Sequence, residues 1–222
     1  MKHITCYFDV ISPYAYLAFE HLPVALQGCS YSVRYKPVLF AGLLNHHGQL
    51  GPAEIPGKRE WMYRQVLWLA RQHDIALHPL AAHPFNPLPL LRLAVACSAT
   101  GEPNRYVCET VLRHVWRAGT GTPQVAPQDA ADPQRLATLA QQLQPARDPA
   151  SPEVKAQLKA HTDEAIALGV FGVPTFAVDD QLFWGLDALP MLRAWMDSDP
   201  WFASSGWLDT GKIPAGIHRI RQ

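Results

Sequence analysis

The sequence predicts an α/β domain whose strands are divided by a long all-helical insertion. Three observations predict it. The chain opens strand, helix, strand within its first 37 residues. The block 57–168 then carries a helical period and almost no strand signal, and two short strand-like runs and a helix follow between 175 and 196.

Residues 2–9 read as the first strand, because Ile4-Thr5-Cys6-Tyr7-Phe8-Asp9-Val10 is mostly apolar with β-branched and aromatic residues. Tyr16-Leu17-Ala18-Phe19-Glu20-His21-Leu22 belongs to a helix over about 13–27, with Ser12 as its N-cap, Pro13 in its first turn and Pro23 as a kink or stop. Tyr31-Ser32-Val33-Arg34-Tyr35 alternates as a second strand and ends before Lys36-Pro37. Such a β-α-β opening favours a parallel pair with a right-handed crossover. Residues 38–57, with Gly42, Gly48, Gly51, Pro52, Pro56 and Gly57, read as a loop-rich stretch.

From Lys58 the period changes to 3.6: Trp61, Gln65, Trp68, Leu69 and Gln72 mark a helix over 57–73. Beyond the prolines at 79, 84, 87 and 89, helices are expected over Leu90–Ala99, Arg105–Ala118, 133–144 and 151–168. Thr175-Phe176-Ala177-Val178 and Gln181-Leu182-Phe183-Trp184 form a hairpin across Asp179-Asp180. Asp187 is placed to cap a last helix that runs through Met196 with Pro190 in its first turn. The tail, 198–222, carries Trp201, Phe202 and Trp207, which implies packing on the body without saying where. The division expected is 1–56 with 169–198 as one discontinuous domain, 57–168 as the inserted helical domain, and 199–222 as a tail.

Bulk properties narrow the function. At 222 residues and 48% hydrophobic content the chain can bury a sizeable core. Nineteen basic residues balance nineteen acidic ones, which argues against a nucleic-acid or anionic-membrane partner. No apolar run spans a bilayer, and Asp9 and Pro13 interrupt any signal-peptide pattern, so a cytoplasmic protein is expected. Cys6, Cys29, Cys97 and Cys108 form no Cys-x-x-Cys and no zinc-ligand pair, and are expected as reduced thiols. His73, His78 and His83 are spaced by five and His46-His47 are adjacent, so none has the three- or four-residue spacing of a helical metal site, and no metal is expected.

The chemistry concentrates at Ser12-Pro13-Tyr14-Ala15. A hydroxyl at a helix N-cap meets the positive end of the helix dipole, where an anion is held favourably. The plain alternative is an ordinary N-cap. Far downstream, Gly172-Val173-Pro174-Thr175 offers an X-Pro bond that is a candidate cis peptide or a simple turn.

Phe8-Asp9-x-x-Ser12-Pro13-Tyr14-x-Tyr16-Leu17-Ala18, Phe171-Gly172-Val173-Pro174-Thr175-Phe176 and Phe183-Trp184-Gly185-x-Asp187 together resemble the 2-hydroxychromene-2-carboxylate isomerases. That family is related to kappa-class glutathione transferases and more distantly to the bacterial disulfide oxidoreductases. The resemblance runs to about residue 197 and implies a thioredoxin-like fold with an inserted all-helical domain. In that fold Ser12 and Ala15 stand where a dithiol would be, so dithiol exchange is excluded there.

The resemblance further implies a glutathione-dependent cis–trans isomerase of an aromatic pyruvate in cyclic hemiketal form, met in aromatic-hydrocarbon catabolism. Glutathione is the cofactor and a small aromatic compound the substrate. Ser12 would donate to the glutathione sulfur as activator, not as covalent nucleophile. Val173 and Pro174 would present backbone to the cysteinyl part, Trp184, Gly185 and Leu186 would wall the pocket, and Asp187 would meet the γ-glutamyl group. Lys58 is a candidate for a carboxylate, with a solvated helix-start lysine as the plain alternative; Phe85 and Asn86 are candidates for a substrate wall or for packing. Relatives are commonly dimers, so the resemblance admits a homodimer. Some pathway isomerases place a lysine after the second strand, whereas residues 37–57 contain no Lys or Arg. A kappa-like glutathione transferase conjugating electrophiles, which needs the same Ser12 and glutathione pocket, is the nearest rival, and a non-catalytic thioredoxin-fold binding protein the rival of another class.

Overall fold

In the computed structural model, which describes residues 1–117, 128–214 and 216, four strands form one mixed sheet in the order β2-β1-β3-β4. Strand β1 (Lys2–Phe8) lies parallel to β2 (Tyr31–Pro37), from Lys2 opposite Tyr31 to Phe8 opposite Pro37. On its other side β1 pairs antiparallel with β3 (Thr175–Val178), which turns back into β4 (Gln181–Trp184). The second strand outruns its expected end at Tyr35. It is an edge strand, where a proline costs no central ladder bond. Lys36 is also fastened there, its Nζ lying 2.6 Å from Glu164 Oε2.

Helix α1 (Pro13–Ala25) crosses from β1 to β2 and continues through Pro23. Leu22 and Leu26, either side of that proline, are both buried and tie the last turn to the core. The stretch expected as loop contains α2 (Phe40–His47) and a 3-10 turn at Pro52–Glu54. Leu43 and Leu44 bury one face of α2, and Gly48 closes it in the left-handed conformation at φ 58°, so glycines that read as loop markers are partly a helix stop.

The remaining insertion is α3 (Pro56–Gln72), α4 (Leu88–Ala96), α5 (Arg105–Trp116), α6 (Pro133–Leu143) and α7 (Pro152–Ala167). Ala118, the expected end of the 105–118 helix, lies outside the described residues. The aromatic stripe that signals α3 is not its core face. Trp61 and Trp68 are exposed, and Met62, Val66 and Ala70 are buried instead. One continuous core joins α1, the sheet, and helices α4, α5 and α7.

Helix α8 (Leu189–Met196) follows β4, and the short α9 (Ser205–Leu208) lies in the tail. The tail docks through Phe202, whose ring sits 5.1 Å from those of Trp195 and Trp207. Cys6, Cys29, Cys97 and Cys108 are free thiols. No helix among the described residues is long and apolar enough to cross a membrane.

Candidate active site

A cleft of about 1070 Å³ opens at the N-terminus of α1, between the insertion and the loop that precedes β3. Its floor is the turn Asp9–Ser12, closed by Ser12 N–H donating to Asp9 O at 3.1 Å. Ser12 is the N-cap, as expected: its Oγ accepts from Ala15 N at 3.2 Å. The same hydroxyl donates to Val173 O at 3.3 Å, which brings the two distant motifs into contact. The next amide, Tyr14 N–H, has no partner among the described residues, so the cap presents a hydroxyl and an unpaired N–H at the positive end of a 13-residue helix.

The Val173–Pro174 peptide is cis. Each carbonyl of its loop is occupied: Gly172 O by Thr175 Oγ1, Val173 O by Ser12, and Pro174 O by Gly185 N–H at 2.9 Å. Val173 N–H has no partner among the described residues. That leaves one backbone donor beside the Ser12 hydroxyl.

Trp184 and Phe171 form an exposed aromatic edge, ring to ring at 4.9 Å. Gly172 is needed beneath it, since a Cβ there would collide with Trp184 Nε1. Gly185 takes φ +96°, and a Cβ would strike Asp187 Oδ1.

Asp187 does not cap the last helix. Helix α8 starts at Leu189 with Ala188 in the cap position and no side-chain cap, because the chain turns at Leu186, whose carbonyl accepts from Leu189 N–H at 3.2 Å. The Asp187 carboxylate is exposed on the cleft without a hydrogen-bond partner among the described residues. Burial, with a smaller contribution from this carboxylate, holds the Tyr14 phenol above its ordinary range. Tyr14 in turn donates to Gln65 Oε1 at 2.7 Å and so links α1 to α3.

Lys58 and Phe85 line the cleft. Asn86 does not: its Oδ1 accepts from Leu88 N at 3.1 Å, at the start of α4. Pro174, expected in the pocket, does not line the cleft, its carbonyl being taken up by Gly185 N–H at 2.9 Å, and Leu186 is buried in the wall.

Several cleft positions carry no assignment from sequence. Phe40, Leu44 and Leu50 form an apolar wall from the segment that reads as loop. Asp9 is fully buried; its Oδ1 accepts from Ile11 N at 3.0 Å and its Oδ2 from Phe40 N at 2.8 Å. Burial pushes this carboxyl up to about 7, against the pull of the backbone N–H groups of Phe40, Ile11 and Val10. An acidic residue ending an apolar strand was the visible signal. His83, buried on the cleft, had none. No cysteine lines the cleft, and burial pushes the Cys6 thiol up to about 12. Among the described residues no cluster of three or more His, Cys, Asp or Glu is placed to hold a metal.

Residues 3–197 match the model of the DSBA-like thioredoxin domain. Glutathione S-transferase kappa 2 of Caenorhabditis elegans is 28% identical over 203 residues, 86% of this chain and 90% of that protein. The 2-hydroxychromene-2-carboxylate isomerase of Sphingobium xenophagum is 27% identical over 206 residues, 88% of this chain and 98% of the relative. A solved structure of a 2-hydroxychromene-2-carboxylate isomerase superposes with a TM-score of 0.71 at 24% identity, covering 88% of this chain and 95% of that one, a likeness of fold.

Proposed function

The chain belongs to the DSBA-like thioredoxin domain family and is an enzyme of the isomerase/transferase type, and from that premise we propose that it is a glutathione-dependent cis–trans isomerase of an aromatic pyruvate such as 2-hydroxychromene-2-carboxylate. One observation carries the reading: the Ser12 hydroxyl, the unpaired Val173 N–H and the unpartnered Asp187 carboxylate share one cleft that holds no thiol of its own.

The cleft offers complementary groups to each part of the tripeptide. Val173 N–H and the Ser12-bound Val173 carbonyl lie beside the cysteinyl backbone, as a strand edge does toward an extended peptide. Asp187 pairs with the γ-glutamyl ammonium and Lys58 with a carboxylate. To activate the sulfur, Ser12 Oγ–H turns from Val173 O to the thiolate, and the α1 N-terminus adds partial positive charge. The thiolate adds to the conjugated carbon of the ring-opened substrate: a C–S bond forms and the π pair moves onto the carbonyl oxygen as an enolate. Rotation about the new single bond is free. Collapse of the enolate restores the double bond as trans and expels the thiolate.

A second reading, transfer of glutathione to an uncharged electrophile, is favoured by the charges on the wall. Residues 37–57 supply no cation, and among the described lining residues the exposed acids Glu54 and Asp187 face only Lys58 and Arg193 as full cations. Arg193 is already paired with Asp197 at 2.6 Å. Glutathione as its thiolate brings two carboxylates and a sulfur anion against a single ammonium, so a further substrate carboxylate meets no spare cation there.

Ser12→Ala tests both readings. Glutathione-dependent turnover should fall by about 10²-fold, the cost of removing one oriented donor. Assays of the carboxylate isomerisation and of conjugation to 1-chloro-2,4-dinitrobenzene separate the two reactions. Unchanged turnover in the alanine variant removes Ser12 from the mechanism, and absence of glutathione binding by calorimetry removes both readings.

A further inference from the structure

The turn that delivers Ser12 is pinned by two peptide planes, each held at both ends. The Val10–Ile11 peptide has its carbonyl bonded to Trp116 Nε1 at 2.8 Å and its N–H to Asp9 Oδ1 at 3.0 Å. The Ile11–Ser12 peptide has its carbonyl bonded to His83 Nε2 at 2.9 Å and its N–H to Asp9 O at 3.1 Å. A peptide unit is rigid, so bonds at its oxygen and its N–H together set its plane. Ser12 then has one backbone rotation left before its Cβ, and the cap bond from Ala15 N holds that as well.

Both outer anchors come from the helical insertion: Trp116 from the end of α5, His83 from the segment between α3 and α4. The imidazole is placed for one task. A carbonyl oxygen only accepts, so Nε2 carries the proton and Nδ1 the lone pair. Nδ1 is buried without a protein partner. The ring is only 6% exposed, edge-on to Tyr63 and Trp116 at 5.7 Å each and tilted against Phe85 at 6.3 Å. Such surroundings oppose a second proton, and burial holds the group below its ordinary range.

We propose that His83 is a positioning residue: its Nε2–H, by fixing the Ile11–Ser12 peptide plane, sets where the Ser12 hydroxyl points. This rests on the glutathione reading for its catalytic consequence, and not for its geometry. A donor displaced by about 1 Å from a reacting group can cost about 10²-fold in rate. The inserted helices thus hold the site together from outside the sheet, in addition to covering it.

The test compares His83→Leu, which keeps bulk and removes the donor, with His83→Gln, whose side-chain amide can reach the Nε2 position. In His83→Leu the Ser12 amide should exchange with deuterium at least ~10-fold faster, since its peptide plane is released. The thiol of bound glutathione, followed by thiolate absorbance against pH, should titrate about one pH unit higher, and kcat should fall roughly tenfold with the glutathione KM changed less than about twofold. His83→Gln should restore all three toward the native values. If His83→Leu does not fold, His83→Asn takes its place, because its shorter amide cannot span to Ile11 O. A folded donorless variant with native Ser12 exchange overturns the proposal. So does loss of all three properties in His83→Gln as complete as in His83→Leu. If the native protein binds no glutathione, the functional reading falls by itself, and amide exchange still decides the positioning role.

Discussion

Asp9 makes stability depend on pH in a direction opposite to that of most carboxylates. The group is fully buried at the base of the cleft, and burial pushes it from 3.8 to about 7. Between those values the folded protein keeps a proton that the unfolded chain has released. The contribution of Asp9 is therefore full below pH 3.8, declines as pH rises, and levels off above about 7. Taking a unit of pKa as about 1.4 kcal/mol, the whole span amounts to about 4 kcal/mol, and the part between pH 5 and pH 8 to about 3 kcal/mol. Asp9→Asn isolates this contribution. The amide oxygen can accept from Ile11 N or Phe40 N but not from both, so the variant starts with a pH-independent loss of about 1–3 kcal/mol. Urea unfolding of both proteins at pH 5, 6, 7 and 8 gives the stability difference, in which every other titrating group cancels. That difference should shrink by about 3 kcal/mol from pH 5 to pH 8, as the native protein gives up an advantage that asparagine never had. Parallel stability curves would refute the reasoning, because they mean that Asp9 titrates alike in the folded and unfolded states.

Gly185→Ala should lower unfolding stability by about 1–2 kcal/mol in urea, since φ +96° is unfavourable for an L-residue, while the new Cβ moves only the end of the exposed Asp187 side chain. Native stability in that variant would show that the turn relaxes without strain. Lys36→Met should lower unfolding stability by about 2 kcal/mol in urea, less than a fully enclosed pair loses because Glu164 keeps water on one side. Tyr7 OH, which also donates to Glu164 Oε1 at 2.8 Å, retains part of that contact. A loss under about 0.5 kcal/mol would show the ion pair to be a surface contact in effect.

Local features were legible in the sequence where one short segment contains both signal and cause. The strands at 2–8, 175–178 and 181–184 alternate or run apolar over their own length, and the Ser12-Pro13 start of α1 is complete within four residues. Helix α2 was hidden because its glycines mark both a turn and a helix stop. In α3 the period was plain, but periodicity does not say which face is buried; the smaller stripe of Met62, Val66 and Ala70 meets the core and the tryptophans do not. Asp187 looked like an N-cap because caps are recognised by spacing, while the Leu186 turn that shifts the helix start is a matter of three dimensions. His83 was invisible for the same reason on a larger scale, since its partner Ile11 is 72 positions away.

The identity of residue 12 decides what kind of chemistry this cleft can host. A helix N-terminus stabilises a thiolate whichever molecule carries it. Where the protein supplies the sulfur, two cysteines at the cap can shuttle between thiol and disulfide. Here the cap holds Ser12 and Ala15, and no cysteine lines the cleft, so no redox couple exists at that point. The stabilisation remains available to a sulfur that arrives on a ligand. The unpaired Val173 N–H and the open carboxylate of Asp187 are placed to hold the rest of such a ligand. Addition and elimination at an electrophilic carbon consume no electrons, so a site that binds its thiolate and cannot oxidise it is suited to isomerisation or transfer and not to disulfide exchange.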